Sequence, residues 1–396
     1  MIWQFLHLVD VLLWLILAGS VLYVTIFALT SLLPQRKPGV PAAASGDESQ
    51  NRFLVLFPAY KEDKVICHSV EAFLHQTYPA HLYQVIVISD SMQAATNHRL
   101  STLPITLLQP AFERSSKARA LQYAITLAEN GGQNSKFTHV VILDADNIVQ
   151  PTFLSQLSDV CDLGYRAIQC HRMAKNDDND IAVLDGVSEE INNTLFRRAH
   201  NAIGLSSALI GSGMCFDYQW FCDNVNRLET AVEDRELETL LMKQGIFIKY
   251  EHNIHVLDEK VSSQDNFQRQ RLRWMTGQVQ ALLQMLPYLP TAFRQGNVNY
   301  VDKTLQQALI PRSILLVVVP FMSLLMTLLA PVWSVKWWIM LVVFCVSLFV
   351  AIPSELRTKA IFGHLVILPR LVWRLLKNIA RIDRKNTDFI HTTHDK

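Results

Sequence analysis

The pentapeptide Leu143-Asp144-Ala145-Asp146-Asn147 directly follows the apolar run Val140, Val141 and Ile142. Two carboxylates one residue apart at the end of a buried strand present hard oxygen ligands suited to Mg2+ or Mn2+, and such an ion can bridge phosphate oxygens. An Asp-x-Asp is also common in solvated turns, and it is the buried strand before it that favours the cation. Glu233 and Asp234, in Val-Glu-Asp-Arg-Glu-Leu, offer a second pair of carboxylates. Taken alone they read as a helix start, where acidic side chains meet the positive end of the dipole. In Gln270-Arg271-Leu272-Arg273-Trp274, planar cations that can grip phosphate adjoin a flat apolar ring. The same stretch also reads as a basic amphipathic helix on a membrane.

Strands and helices must hold these groups. Apolar runs at 53–57, 84–89, 105–108 and 139–143 read as strands, and 72–75 and 118–127 have helical spacing. Alternation of continuous apolar strands with helices predicts an α/β fold with a mostly parallel central sheet covered on both faces. In such sheets ligands bind beyond the carboxyl ends of the strands. That edge collects Pro58, Tyr60 and Glu62 after the first strand, Asp90 after the second, and Asp144 and Asp146 after the fourth. Gly211-Ser212-Gly213, after Ala208-Leu209-Ile210, allows a ligand close to the backbone or forms a plain loop. His171, His252 and His255 show no metal-ligand spacing.

The chain has 396 residues, half of them hydrophobic, which exceeds the roughly 250–300 at which one core stops growing. Much of the excess lies in three uncharged runs, at 11–33, 313–335 and 337–354, the first long enough as a helix to cross about 30 Å of hydrocarbon. A signal peptide fits the first run poorly: no Lys or Arg precedes it, and Arg36 and Lys37 follow it. The other two, separated by Lys336, read as a hairpin flanked by Arg312 on one side and by Arg357 and Lys359 on the other. The excess of positive charge on cytosolic flanks then places the N-terminus outside and residues 34–312 in the cytosol. Residues 34–50 read as a Pro-, Ala-, Gly- and Ser-rich linker. The stretch 361–379 is apolar but interrupted by Arg370, Arg374 and Lys377. It reads as an interfacial amphipathic helix, with a further span as the alternative.

A formal net charge of +1 without a basic stripe argues against nucleic acid as a partner. Six cysteines without a paired CxxC spacing argue against a disulfide framework or zinc site.

In order, Pro58-x-Tyr60-x-Glu62, Asp90, Asp144-x-Asp146, Glu233-Asp234 and Gln270-x-x-Arg273-Trp274 resemble the membrane-bound family 2 glycosyltransferases of the polysaccharide-synthase type, such as cellulose, chitin and hyaluronan synthases. The resemblance covers residues 53–274 and the arrangement of the spans. It implies an A-type glycosyltransferase (nucleotide-diphosphosugar transferase) domain plus transmembrane helices. The implied division is a first span in 1–36, a linker in 37–50, a cytosolic domain in 51–300, a hairpin in 301–356, and an interfacial helix with a tail in 357–396.

By the same resemblance, Pro58, Tyr60 and Glu62 hold base and ribose, although the usual Asn before that Glu is Lys61 here. Asp90 binds the base, Lys117 matches a Lys ahead of an Ala-Leu pair, and Asp144 and Asp146 hold Mg2+ or Mn2+ on the diphosphate. For Lys117, a plain helix-surface lysine is the competing reading. Asp234, with Glu233, supplies the base that a weakly nucleophilic hydroxyl needs. Gln270 and Arg273 meet the diphosphate as it gains charge, Trp274 stacks on the acceptor sugar, and Gly211, Ser212 and Gly213 line the acceptor pocket.

The implied enzyme is an inverting hexosyl- or N-acetylhexosaminyltransferase in polysaccharide or glycolipid synthesis, on the cytoplasmic side of the inner membrane. Its donor is a nucleotide-diphosphate sugar of the UDP type, and its acceptor is a saccharide or lipid-linked. A processive synthase would thread its product through its spans, and with three spans per chain a pore requires a homo-oligomer. A single-addition enzyme would not. Outside enzymes, the alternative is an inactive membrane scaffold of the same fold, whose mark would be a broken carboxylate set.

Overall fold

The computed structural model describes residues 2–34, 51–130, 137–177, 179–230, 232–261 and 264–358, so the expected linker at 37–50 and interfacial helix at 361–379 lie outside the described residues. Helix α1 (Ile2–Thr30) precedes the α/β domain. Strands β1 (Phe53–Tyr60), β2 (Tyr83–Asp90), β3 (Thr106–Leu108) and β4 (His139–Ile142) form a parallel half-sheet in the order β3-β2-β1-β4. All of 53–57 is buried, which explains a run without polar alternation.

Helices α2 (Ile66–Phe73), α3 (Ala94–Ser101), α4 (Lys117–Asn130) and α5 (Phe153–Cys161) connect and cover these strands. Because side chains alternate across a strand, Phe53, Val55 and Phe57 enter one core with α2 and α5. Leu54 and Leu56 enter the other, with Leu121, Ala124 and Ile125 of α4. The helical spacing expected at 72–75 belongs to the end of α2, whose buried stripe of Ile66, Val70 and Phe73 begins earlier.

Strands β5 (Ile148–Val149), β6 (Ala167–Ala174), β7 (Met214–Asp217) and β8 (Ile248–Asp258) extend the sheet to eight, in the order β4-β7-β6-β8-β5. β7 runs antiparallel to both β4 and β6, and β5 to β8, whereas β6 and β8 are parallel. The sheet is thus mostly parallel, with β7 and β5 running against their neighbours.

Helix α6 (Asp180–Asn192), a π-helical turn (Asn193–Arg198) and α7 (Ala199–Ala202) follow β6, and α8 (Tyr218–Val225) and α9 (Glu233–Lys243) precede β8. The chain then forms α10 (Gln264–Met285), α11 (Leu289–Arg294) and α12 (Val298–Ala308) before α13 (Arg312–Leu329) and α14 (Pro331–Ala351). Among the described residues, three helices are long and apolar enough to cross a membrane: α1, α13 and α14.

Asp10 of α1 and Lys336 of α14 pair at 2.5 Å, and Trp337 Nε1 donates to Asp10 at 2.8 Å. Each charge neutralises the other within apolar surroundings. The pair sets the N-terminal part of α1 beside the start of α14. A third core joins these helices to the domain: Val187 and Ile191 of α6, Leu195 of the π turn and Ala199 pack with Leu17, Leu315 and Phe344.

Candidate active site

Parallel pairing brings the ends of β1 and β2 together, with Tyr60 in register with Asp90. The residues just beyond, Lys61 and Ser91, both adopt φ of 57°. This left-handed conformation is uncommon outside glycine and enriched in Asn. Lys61 therefore accepts backbone strain at the position where the resemblance leads to Asn, and its ammonium sits 5.0 Å from the centre of the Tyr60 ring.

Beyond β4, the Asp144 amide donates to Asn147 Oδ1 at 2.9 Å and the Asn147 amide donates back to the Asp144 carbonyl at 3.1 Å, closing the turn from both sides. Asn147 Nδ2 reaches Asp146 Oδ1 and Asp258 Oδ1, each at 3.3 Å. The backbone N–H of Glu259 donates to Asp146 Oδ2 at 2.8 Å, tying the turn to the end of β8. Asp144 and Asp146 thus lie on one braced turn, and their oxygens suit a hard divalent cation. Among the described residues no set of three or more His, Cys, Asp and Glu side chains has metal-holding geometry. Phosphate oxygens and water would have to complete the shell of an ion held by the two aspartates.

Lys117 opens α4 and points into the same space. Its ammonium donates to Asp144 and, at 2.6 Å, to the carbonyl of Gly211, and lies 3.5 Å from Glu233. Burial alone would lower its pKa, but Asp144 and Glu233 more than offset this and hold the amine protonated. Its side chain is only 14% exposed and turned toward the carboxylates, so the helix-surface reading does not apply.

Glu233 and Asp234 begin α9, so the pair is both a helix start and part of the cavity wall. Burial raises the Glu233 pKa to about 7, with Asp234 adding and Lys117 opposing. A Cβ placed on Gly211 would stand 3.7 Å from Glu233 Oε1 and 3.9 Å from Asp234 Oδ2. These are ordinary contacts, so it is the φ of 84° that requires glycine at 211. Helix α10 passes behind: Gly277 lies so near Val232, the residue before Glu233, that a Cβ would come within 2.5 Å of its Cγ1. That approach lays Gln270, Arg273 and Trp274 along the cavity. Burial pulls the Arg273 pKa down, while Glu233, Asp144 and Asp234 pull it up.

One cavity of about 950 Å³ is bounded by Pro58, Tyr60, Glu62, Asp90 and Lys117 on the β1–β2 side. It continues along Asp144, Asp146, Glu233 and Asp234 to Gly211, Gln270, Arg273 and Trp274. Two expected pocket residues lie elsewhere. Ser212 is fully buried and its hydroxyl donates to Asn147, and Gly213, at φ of 62°, packs under Val256. Both support the floor rather than line it, because the turn passes beneath the Asp-x-Asp loop.

Sequence reasoning missed a buried polar wall. Arg172 of β6 donates to Glu189 at 3.2 Å and stands 3.9 Å from Asp258. Burial disfavours its charge, but Asp258 and Glu189 hold it protonated. Arg197 donates to Glu189 at 3.2 Å, and Lys260 to Asp258 at 2.8 Å. The signal available was the carboxylate ending β8, another strand end. His171, His252 and His255 also gather, with ring centroids of 4.7 and 5.3 Å from His171, and His171 Nε2 lies 2.9 Å from Glu190.

A family model described as glycosyltransferase like family 2 matches residues 50–277. No curated protein matches the sequence. Among solved structures, the mannosyltransferase PcManGT from Pyrobaculum calidifontis, in complex with GDP-Man and Mn2+, is 17% identical with a TM-score of 0.52, covering 84% of this chain and 95% of that one. The UDP complex of S. aureus TarS 1–349 is 14% identical with a TM-score of 0.40, covering 59% and 65%. Glucosyl-3-phosphoglycerate synthase from Mycobacterium tuberculosis, with Mn2+, UDP and phosphoglyceric acid, is 17% identical with a TM-score of 0.40, covering 59% and 81%. The fold is thus the A-type glycosyltransferase fold. With more than half of its length, from residue 50 to 277, matching the family model, the chain belongs to glycosyltransferase family 2 and is a glycosyltransferase.

Proposed function

We propose that this enzyme transfers a hexosyl or N-acetylhexosaminyl group from a UDP-type nucleotide sugar to an acceptor hydroxyl at the cytosolic membrane face, inverting the anomeric centre, in glycolipid or polysaccharide synthesis. The observation that carries this reading is convergence: Asp144, Asp146, Asp234 and Arg273, from three separate elements, border one cavity with the β1 and β2 strand ends. The similar mannosyltransferase was solved with GDP-Man and Mn2+, which accords with such a donor and ion.

In this reading Pro58, Tyr60, Glu62 and Asp90 orient base and ribose. Asp144 and Asp146 would hold Mg2+ or Mn2+, which would supply a Lewis acid that offsets the charge of the diphosphate. Arg273, half-buried near three carboxylates, gains most as the leaving diphosphate gains charge. Asp234 takes the acceptor proton as the hydroxyl oxygen bonds to the anomeric carbon. Glu233 and Lys117 position this group, and Trp274 packs on the acceptor. α1 and the α13–α14 hairpin hold the domain, 51–300, at the bilayer.

The test is to incubate detergent-solubilised protein with Mn2+ and single UDP- or GDP-sugars and to measure the nucleotide diphosphate released. Release is expected with one donor class, and Asp234→Asn should abolish transfer with donor affinity retained. Weak donor binding in that variant would count against its role as the base.

A further inference from the structure

The cavity does not end at the nucleotide end. It runs past Arg271 and Arg312 to a wall made by Leu184 and Val187 of α6, Leu316 of α13, and Val346 and Phe349 of α14. Val346 and Phe349 are 56% and 46% exposed on a helix apolar enough to cross a membrane, so this end reaches the lipid-facing surface.

The neck between the two ends carries positive charge. Arg271 is neutralised by Asp185 at 2.5 Å. Arg312 donates only to neutral oxygens, the Ser188 carbonyl at 3.2 Å and Asn192 Oδ1 at 2.6 Å, and among the described residues no carboxylate pairs with it. Apolar walls reaching lipid, a cationic neck and a carboxylate end form a sequence that matches an amphipathic molecule lying tail outward. A growing saccharide would meet Val187, Leu316 and Phe349, which offer no hydrogen bonds to its hydroxyls.

We propose that the acceptor is a membrane lipid whose head group carries a phosphate ester and, beyond it, a free hydroxyl. Its chain lies along Leu316, Val346 and Phe349, its phosphate meets Arg312, and its hydroxyl reaches Asp234. The acceptor oxygen forms the new bond to the anomeric carbon, the bond from that carbon to the diphosphate breaks with its electron pair leaving on the nucleotide, and the proton passes to Asp234. This rests on the glycosyltransferase reading above.

The test uses the full chain in phosphatidylcholine nanodiscs containing either phosphatidylglycerol or diacylglycerol with a photoactivatable acyl chain. Phosphatidylglycerol should crosslink to peptides within 312–352 at least ~10-fold more than diacylglycerol. Arg312→Gln should erase that preference and Arg312→Lys keep most of it. Val346→Trp, at a lipid-facing site, should reduce crosslinking of both by narrowing the mouth. In parallel, tritiated UDP-sugars with Mn2+ should put label into the organic phase with phosphatidylglycerol. Equal crosslinking of the two lipids, or label found only in water-soluble chains or on diacylglycerol, overturns the proposal while nucleotide release leaves the transferase reading intact. If no nucleotide sugar binds at all, the transferase reading fails, and this proposal with it.

Discussion

The Lys117 ammonium lies 3.5 Å from the Glu233 carboxylate and donates to the Gly211 carbonyl at 2.6 Å, so one cation bridges the start of α4, the glycine turn and the start of α9. Removing it leaves the half-buried Asp144 and the buried Glu233 without their cation, which destabilises the fold. Lys117→Met is expected to lower kcat/KM by at least ~100-fold and to lower the melting temperature, read by nucleotide release and thermal unfolding.

Glu233 titrates near 7, above the ordinary carboxylate range, because burial outweighs the pull of Lys117. Its folded pKa exceeds its unfolded value, so the stability it contributes is fully present below about pH 4.5 and is lost as pH rises through about 7. The loss is about 3 kcal/mol at most. Melting temperature measured from pH 5 to 8 should therefore fall less steeply in Glu233→Gln than in the parent, and an equal slope would sink this assignment.

Gly277 has no room for a side chain, since a Cβ would come within 2.5 Å of Val232. Gly277→Ala is expected to push α10 off the start of α9, costing about 1–3 kcal/mol by overpacking. Activity should fall at least ~10-fold, and the pairing of Val232→Ala with Gly277→Ala should recover part of it. A single Gly277→Ala variant with full activity would show that the approach does not position Glu233 and Asp234.

Asp146 is buried, with one oxygen accepting from the Glu259 amide. If it holds a divalent ion on the diphosphate, chelation should stop nucleotide release and added Mn2+ should restore it. Asp146→Asn should lose at least ~100-fold in kcat/KM at saturating Mn2+. Activity that survives both treatments would remove the ion from the mechanism.

Asp10 and Lys336 are each other's charge partners, with the Asp10 side chain 7% exposed. Asp10→Ala should strand Lys336 in apolar surroundings and destabilise the three-helix unit by about 3 kcal/mol, seen as a lower melting temperature in detergent. The swap Asp10→Lys with Lys336→Asp should regain more stability than either change alone.

What the sequence by itself determined is local. A strand buried on both faces must be apolar throughout, so β1, β2 and β4 announce themselves, and the polar residue ending each must lie at the sheet edge. Tyr60, Asp90 and Asp144 were found that way. Uncharged runs marked α1, α13 and α14 for the same reason of uniform surroundings, but the turn of the hairpin falls at Ala330, ahead of Pro331, and Lys336, expected at the turn, lies inside α14 with Asp10 as its partner. The glycine turn was visible as a turn, but not that Ser212 and Gly213 would pass beneath the Asp-x-Asp loop.

Tertiary structure decided the rest. The second half-sheet pairs strands far apart in the chain, and β8 alternates exposure irregularly, so no period betrays it. Arg172, Glu189, Arg197 and Asp258 are ordinary charges until folding brings them together, where their opposite charges face one another. The reach of the cavity from Asp234 to Phe349 likewise exists only because α6 packs on α1, α13 and α14 and walls the site with the same Val187 and Ile191. Such contacts are made between distant segments, and the energy of a buried charge depends on which partner arrives, which no local pattern encodes.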